Sequence, residues 1–353
     1  MIVRNMKIAL LNLPYDNNYG GNLQRYALMK ILQNMGHSVI HLNLRFDYGS
    51  QSYKKLYFFV KKIICKLFLN RDTKTVQEEY THKCEITDGF YQKYIVHTDI
   101  ITNPAFLAQY TDFDAFIVGS DQVWRKKIAG KYLPYLFFSH LQDIKKPKIA
   151  CSVSFGTDTV EFNNEEIRIY GDLYKQFKAV SVREESGLKI LEQLGWNTPK
   201  AIHLLDPTFM LSKIDYQMII QSSETKAISG NCFCYILDMT DEIIGIINDV
   251  ISKKNMTPYY VSLNDNISIP QWLRAFNDAE YVITDSFHGL VFSIIFNKPF
   301  KLIRNLFRGN ARFDSIMQTF NLGEYCEINW EEVNSIISKN KQLFLKFLDN
   351  SLR

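Results

Sequence analysis

The chain has 353 residues, 46% hydrophobic and 22% charged, enough for a substantial core and more length than one average domain uses. Its 16 Gly and 9 Pro fall without a period, which excludes collagen-like and low-complexity classes. Forty-one Lys plus Arg against 37 Asp plus Glu leave a formal +4, too small a surplus to point to a nucleic-acid partner.

In chain order, residues 7–13 form an apolar run closed by Pro14, which predicts a first strand. Residues 21–35 carry Leu23, Ala27, Ile31 and Met35 at helical spacing up to Gly36, and 38–44 resume a strand. This opening is a β-loop-α-turn-β unit, whose crossover favours a parallel sheet. Strands ending in polar corners recur at 114–118 before Gly119-Ser120-Asp121 and at 148–155 before Gly156-Thr157-Asp158. A strand at 179–182 leads to Arg183, a helix ends at Gly195, and a strand at 201–205 precedes Asp206-Pro207. Residues 212–229 read as a polar, lysine-bearing connection. Alternation then restarts with strand 232–238, helix 241–252, strand 258–263, short helix 271–277, strand 280–284, apolar helix 288–297, strand 300–303 and terminal helix 330–348.

The pattern predicts an α/β protein of two Rossmann-like domains, 1–211 and 212–329, in a GT-B-type arrangement with an interdomain cleft facing the strand C-termini. Residues 330–353 form a C-terminal helix placed to pack back on the first domain. A single large Rossmann-like domain is the alternative. No G-x-G-x-x-G or Walker A loop occurs, so dinucleotide and P-loop readings fall away.

Six cysteines, Cys65, Cys84, Cys151, Cys232, Cys234 and Cys326, are too scattered for a disulfide framework and read as reduced thiols. No Cys-x-x-Cys or second Cys/His pair offers zinc a site, so neither a metal nor a resident cofactor is expected. The first apolar run lacks a signal-peptide cleavage pattern, and Lys61, Lys62 and Lys66 interrupt the most hydrophobic stretch before it reaches the roughly 20 residues of a membrane span. The expectation is a soluble, cytoplasmic protein. The charge surplus is local, because residues 51–74 hold seven basic residues and one acid. Within it, 54–68 combines five lysines with bulky apolar groups, as helices lying on the inner leaflet of a membrane do, and reads equally as a surface helix with solvated lysines.

The sharpest constellation is Tyr281-Val282-Ile283-Thr284-Asp285-Ser286-Phe287-His288-Gly289, a buried strand ending in a polar corner that feeds an apolar helix. Free amides and the dipole at that helix start favour a phosphate or carboxylate, and Asp285 or Ser286 can cap the turn. Arg183, at a strand end, could hold an anion with its planar fork or pair with Glu184 or Glu185. The loop Asn17-Asn18-Tyr19-Gly20-Gly21-Asn22 permits close backbone approach to a ligand, with Asn22 either a contact or the helix N-cap. In Gly119-Ser120-Asp121-Gln122-Val123-Trp124, Asp121 is a candidate base, and Trp124 reads as core rather than a sugar platform.

Together, NYGGNLQRYAL, FDAFIVGSDQVW, CSVSFGTD, AVSVREESGLKIL, LLDPTFML and YVITDSFHGLVFSIIFNKPF resemble the polysaccharide pyruvyltransferase family, in order and over nearly the whole chain. The resemblance implies a GT-B-type enzyme that uses phosphoenolpyruvate to install a pyruvate ketal on a sugar of a surface polysaccharide or its precursor. It implies that Arg183 and His288 match the basic residues around phosphoenolpyruvate, that Phe287 supplies backbone contact, and that Asn22, Gly119 and Ser120 line the cleft. Many members carry Gly-Asp where this chain has Gly21-Asn22, which removes a carboxylate from that position.

In the expected reaction, Arg183 and the helix start at Asp285, Ser286, Phe287, His288 and Gly289 bind the donor's two anionic groups. His288 protonates the leaving phosphate, and Asp121 takes the hydroxyl proton. The acceptor is a sugar or a lipid-linked oligosaccharide, the second of which would give the 54–68 segment a membrane role. A nucleotide-sugar glycosyltransferase is the competitor, since His288-Gly289 and Asn297-Lys298-Pro299 resemble a donor motif. That motif needs a ribose-binding Glu, and Ile294, Ile295 and Phe296 stand there instead. A non-catalytic glycan-binding protein of the same fold is the remaining alternative.

Overall fold

A computed structural model describes residues 5–46, 76–262, 265, 267–304, 311–323 and 327–353. The lysine-rich segment 54–68 lies outside the described residues, as do Cys65 and Cys326.

Two all-parallel sheets organise the chain. The first contains β1 (Lys7–Leu11), β2 (Ser38–His41), β3 (Ala115–Val118), β4 (Lys148–Val153), β5 (Ala179–Val182) and β6 (Ile202–His203), in the order β2-β1-β3-β4-β5-β6. The second contains β7 (Cys232–Tyr235), β8 (Pro258–Val261), β9 (Tyr281–Thr284) and β10 (Phe300–Leu302), in the order β10-β9-β7-β8. Each strand falls within a run that the sequence marks as one. β3, β4 and β7 are buried along their whole length, as parallel strands covered on both faces must be. Several ladders stop short of the apolar run because its last residues leave the sheet to build the loops of the cleft.

The helices are α1 (Tyr19–Asn34), α2 (Val76–Tyr94), α3 (Asn164–Tyr174), α4 (Glu185–Gln193), α5 (Lys213–Gln221), α6 (Asp241–Lys254), α7 (Ile269–Asp278), α8 (Phe287–Ile295), α9 (Ala311–Thr319) and α10 (Trp330–Leu352). Four of them, α2, α3, α5 and α9, go beyond the sequence reading. α5 occupies the stretch read as a polar connection. Ser212 and Asp215 close a capping box at its start, and Tyr216, Ile219 and Ile220 form its buried stripe. α3 begins with the same device at Asn163 and Glu166. α1 starts earlier than its apolar spacing indicates, because Asn18 is the N-cap and accepts from the Gly21 amide. Asn22 is therefore inside the helix, which corrects its reading as a cap.

The two sheets share one continuous apolar cluster, which runs from Ile8, Leu10 and Ile149 through Phe233 and Val282 to Phe344 and Leu348 of α10. Tyr19 joins the units directly. Its hydroxyl donates to the carbonyls of Asp265 at 3.1 Å and Ile267 at 2.9 Å, and its ring packs 5.7 Å from that of Trp272. α10 returns to the first unit, where Leu343 and Phe347 face Ala179 and Ile202 across a groove of about 380 Å³. The result is two Rossmann-like units in a GT-B-type arrangement, with the strand C-termini of both facing one cleft.

Gly119 ends β3 at φ 127°, and a Cβ there would lie 2.1 Å from the Cys151 carbonyl oxygen on β4. Gly119→Ala is expected to lower unfolding free energy by about 3 kcal/mol or more through backbone strain and overpacking. Gly89→Ala, on an open position of α2, should raise it by up to about 1 kcal/mol. Urea unfolding of the two variants checks the pair.

Candidate active site

A cavity of about 300 Å³ opens between the units. The loop after β1 contributes Asp16, Asn17, Asn18 and Gly20, and the loop after β3 contributes Asp121 and Gln122. The second unit contributes Tyr235 at the end of β7 and Leu237 beyond it, Asp285 to His288 at the β9–α8 corner, and Arg312 and Phe313 on α9.

The β9–α8 corner is built by short-range hydrogen bonds. Thr284 Oγ1 donates to the Tyr235 carbonyl at 2.7 Å and accepts the Ser286 amide at 3.1 Å. Ser286 is the N-cap of α8 and accepts from the Gly289 amide at 3.3 Å. Gly289 is required here, since a Cβ would meet Thr284 Oγ1 at 2.0 Å. Asp285 is not the cap. Its two carboxylate oxygens accept the amides of Leu237 at 2.7 Å and Asp238 at 3.0 Å, which ties the end of β7 to the end of β9. The helix start therefore faces the cavity with the amides of Phe287 and His288, which have no intrahelical acceptors.

His288 sits close under the first loop, where a Cβ on Gly20 would fall 1.9 Å from its Nδ1. Its Nε2 lies 3.8 Å from Asp206 Oδ2, an ion-pair distance that is too long for a hydrogen bond. Nε2 has no hydrogen-bond partner among the described residues. A buried nitrogen without a partner is a group held ready for one.

Arg183 is fully buried and does not line the cavity. Its Nη1 donates to Asp206 Oδ2 at 3.0 Å, and its Nη2 donates to Asp121 Oδ1 at 3.4 Å. Nε stands 3.6 Å from Glu184 Oε2, while the Phe287 ring covers the guanidinium at 4.5 Å. Pairing with Glu184 is thus present, Glu185 takes no part, and the two aspartates are the stronger partners. The fork is filled by protein carboxylates, which corrects its reading as an open anion clamp. Burial alone would push the guanidinium down, but Asp121, Asp206 and Glu184 more than offset it and hold it above its ordinary value. Asp206 is fully buried, which would raise its carboxyl, yet His288, Arg183 and Thr208 together hold it below the usual carboxylate range. Gln24 Nε2 also donates to Asp206.

Of the remaining predicted residues, Asp121 lines the cavity and Asn22 and Ser120 lie behind it. Asn22 Nδ2 donates to the carbonyls of Asp16 at 2.9 Å and Asn18 at 3.0 Å, so it braces the first loop. Gly21 is nearer the opening, with Asp121 Oδ2 3.6 Å from a Cβ built on it. Ser120 is buried, donates to the Ser152 carbonyl at 2.8 Å and accepts from Gln24. Asp121 lines the cavity at φ 79°, a conformation that favours glycine. Trp124 is core, stacked on Phe137 at 4.6 Å. Ile294, Ile295 and Phe296 are all buried.

Two lining residues escape the sequence reading. Asp16 precedes the loop as read from Asn17, although it is the acid that follows β1. Its carboxyl is pushed up to about 6 by burial, against the opposing effects of the Asn18 amide and Arg25. Arg312 opens α9, one of the unpredicted helices. Its guanidinium lies 5.4 Å from the Phe287 ring, and burial and the like charge of Arg183 push it down to about 10. Its signal was the run of arginines Arg304, Arg308 and Arg312 just past a strand C-terminus. Among the described residues no group of three or more His, Cys, Asp or Glu could hold a metal ion, and no helix is long and apolar enough to cross a membrane.

The profile of a family described as polysaccharide pyruvyl transferase matches residues 18–305. No curated protein matches the chain. Among solved structures, it is similar to HepE from Anabaena in complex with UDP, at 11% identity and a TM-score of 0.47, over 98% of this chain and 99% of that one. It is similar to MnaA from S. aureus with UDP, at 9% identity and a TM-score of 0.49, over 98% and 91%. A UDP-GlcNAc 2-epimerase from Neisseria meningitidis bound to UDP-GlcNAc aligns at 11% identity and a TM-score of 0.46, over 97% and 94%.

Replacing Asp206 by Ala removes a carboxylate from a buried guanidinium and is expected to cost about 3–5 kcal/mol of stability at pH 7. Because the folded carboxyl is held low, that contribution is complete above the unfolded value near 4 and is lost as pH falls towards the folded one. Denaturant unfolding of both proteins at pH 7 and pH 3 should show the difference shrinking in acid.

Proposed function

The chain belongs to the polysaccharide pyruvyl transferase family, and from that premise we propose that the cleft transfers pyruvate from phosphoenolpyruvate, as a ketal, onto a sugar of a surface polysaccharide or its precursor. One observation carries the reading. The cavity is polarised, with Arg312, His288 and the α8 amides on the wall from the second unit and Asp16 and Asp121 on the wall from the first. Asp285 does not spoil that contrast, since both its oxygens are turned to backbone amides. A wall of donors suits a donor substrate with a carboxylate and a phosphate, and a wall of carboxylates suits the hydroxyls of a sugar.

The reaction protonates C3 of the enol, makes C2 electrophilic, adds two sugar hydroxyls in turn and expels phosphate. Two protons leave the hydroxyls, one is delivered to C3, and one departs with phosphate. The α8 start and Arg312 stabilise charge as the C2–O bond to phosphate breaks, in a site whose dipoles are already oriented. His288, whose Nε2 makes no hydrogen bond among the described residues, gives its proton to the leaving phosphate. Arg183 acts behind the Phe287 ring, fixing the ring and the carboxylates around which the cleft is built.

Phosphoenolpyruvate should bind the wild type in a calorimetric titration, with affinity reduced about tenfold or more in Arg312→Ala and in His288→Ala, the loss of one charge-assisted contact each. A panel of nucleotide sugars titrated alongside should give no heat. Binding of a nucleotide sugar in place of phosphoenolpyruvate would move the protein to the glycosyltransferases.

A further inference from the structure

We propose that Asp16 is the carboxylate that takes the acceptor hydroxyl's proton, and that Asp121 instead serves to hold Arg183. The assignment rests on the pyruvyl-transfer reading above and deepens it. Both aspartates lie on the wall from the first unit, but their commitments differ. Asp121 presents Oδ1 to Arg183 Nη2 at 3.4 Å and belongs to the buried ion cluster. Asp16 uses Oδ1 for the Asn18 amide at 3.0 Å, and its Oδ2 has no hydrogen-bond partner among the described residues. Each keeps one oxygen outside these contacts, but the Asp121 carboxylate is already paired with a buried guanidinium, whereas Asp16 makes no ion pair among the described residues, so Asp16 is the carboxylate with its charge uncommitted to a cation.

The loop that carries Asp16 is held from beneath. Asn22 Nδ2 donates to the Asp16 carbonyl at 2.9 Å, and Asn22 Oδ1 accepts from Arg25 Nη1 at 2.6 Å. The buried Arg25 also donates from Nη2 to the Leu13 carbonyl at 3.3 Å and from Nε to His41 Nε2 at 3.0 Å. His41 is a neutral acceptor here, because burial and then the charge of Arg25 push its imidazole well below its ordinary value. A carboxylate on a loop anchored at both of its ends keeps its place through the reaction, as a proton acceptor must.

The step balances simply. As a sugar oxygen forms its bond to C2, its proton passes to Asp16 Oδ2. The acid so formed returns the proton to solvent or to the departing phosphate before the second hydroxyl attacks. The groups facing Asp16 are Asp121 from the loop after β3, Arg25 from α1, His288 from α8 and Arg312 from α9. Burial and the neighbouring Asp121 raise its carboxyl to about 6 while Asn18 and Arg25 oppose them, so it is ionised at neutral pH and still basic enough to accept a proton.

The test uses the full chain with labelled phosphoenolpyruvate, a panel of methyl hexopyranosides and the envelope glycan fraction of the source cells as acceptors, reading label transfer and phosphate release. Asp16→Asn should lower kcat by about 10²–10⁴-fold and leave the KM for phosphoenolpyruvate within about threefold, while Asp16→Glu recovers part of the rate. The acid limb of the wild-type kcat/KM profile near pH 6 should be missing from the residual activity of Asp16→Asn. Its melting temperature at pH 8 should hold or rise, since the variant removes a charge that burial disfavours. Unchanged kcat in Asp16→Asn overturns the assignment alone, and a joint loss of donor binding and melting temperature overturns it in favour of a structural role. No transfer from phosphoenolpyruvate by the wild type to any acceptor overturns the underlying reading, and the assignment with it.

Discussion

The ion pair between Arg183 and Asp206 is the constraint around which the cleft is arranged. Both side chains are fully buried, one at the end of β5 and the other just past β6. Taking two charges out of water costs several kcal/mol each, so such a pair persists only where further partners satisfy it. Here those partners are the walls of the site. Asp121 comes from the β3 loop, Glu184 from the start of α4, Gln24 from α1, and Thr208 donates its hydroxyl to Asp206 Oδ1 at 2.7 Å. Five segments of the first unit therefore converge on one charge centre, and Phe287 of the second unit closes over it. Moving any one of them removes a contact from a charge held out of water.

That arrangement separates holding from reacting. The buried cluster is occupied from within, its single guanidinium surrounded by three carboxylates, with a histidine at ion-pair distance from one of them. The groups that line the cavity lie one layer out, and they differ in chemistry. Helix-start amides and Arg312 can only donate, His288 can hand over a proton, and Asp16 can only accept once ionised. The layer beneath makes these outer groups directional. Gly20 leaves room for the His288 ring, Asn22 and Arg25 fix the loop of Asp16, and Thr284 fixes the corner from which α8 starts.

Much of this was legible in the sequence, and for a definite reason. Parallel strands buried on both faces must be apolar throughout, and a cleft at their C-termini must follow them with polar corners. Both are local patterns, so every strand and the β9–α8 corner could be read directly. The helices that escaped are those whose apolar stripe is interrupted by polar residues on the exposed face. α5 shows it, since Lys213, Asp215 and Gln217 hide the spacing of Tyr216, Ile219 and Ile220. Burial depth was not legible at all. Arg183 at a strand end looks the same in sequence whether its fork opens to a ligand or is filled by carboxylates that arrive from residues 121 and 206. Arg312 and Asp16 illustrate the converse, because each follows a strand end in sequence but only the fold brings the two to one cavity.

The site carries features that a fold selected for stability alone would avoid. Arg183 and Arg312 place two guanidiniums beside one phenylalanine ring, and each disfavours the charge of the other. Asp16 is held where its ionised form is disfavoured, and Asp121 adopts a backbone conformation that suits glycine. An anion between Arg312 and the α8 start would relieve the first conflict, and a hydroxyl proton would relieve the second. The shared core beneath, continuous from β1 to α10, is large enough to carry these local costs. Strain concentrated where two oppositely equipped walls meet, over a core that tolerates it, is what a site prepared for charge transfer between two bound molecules requires.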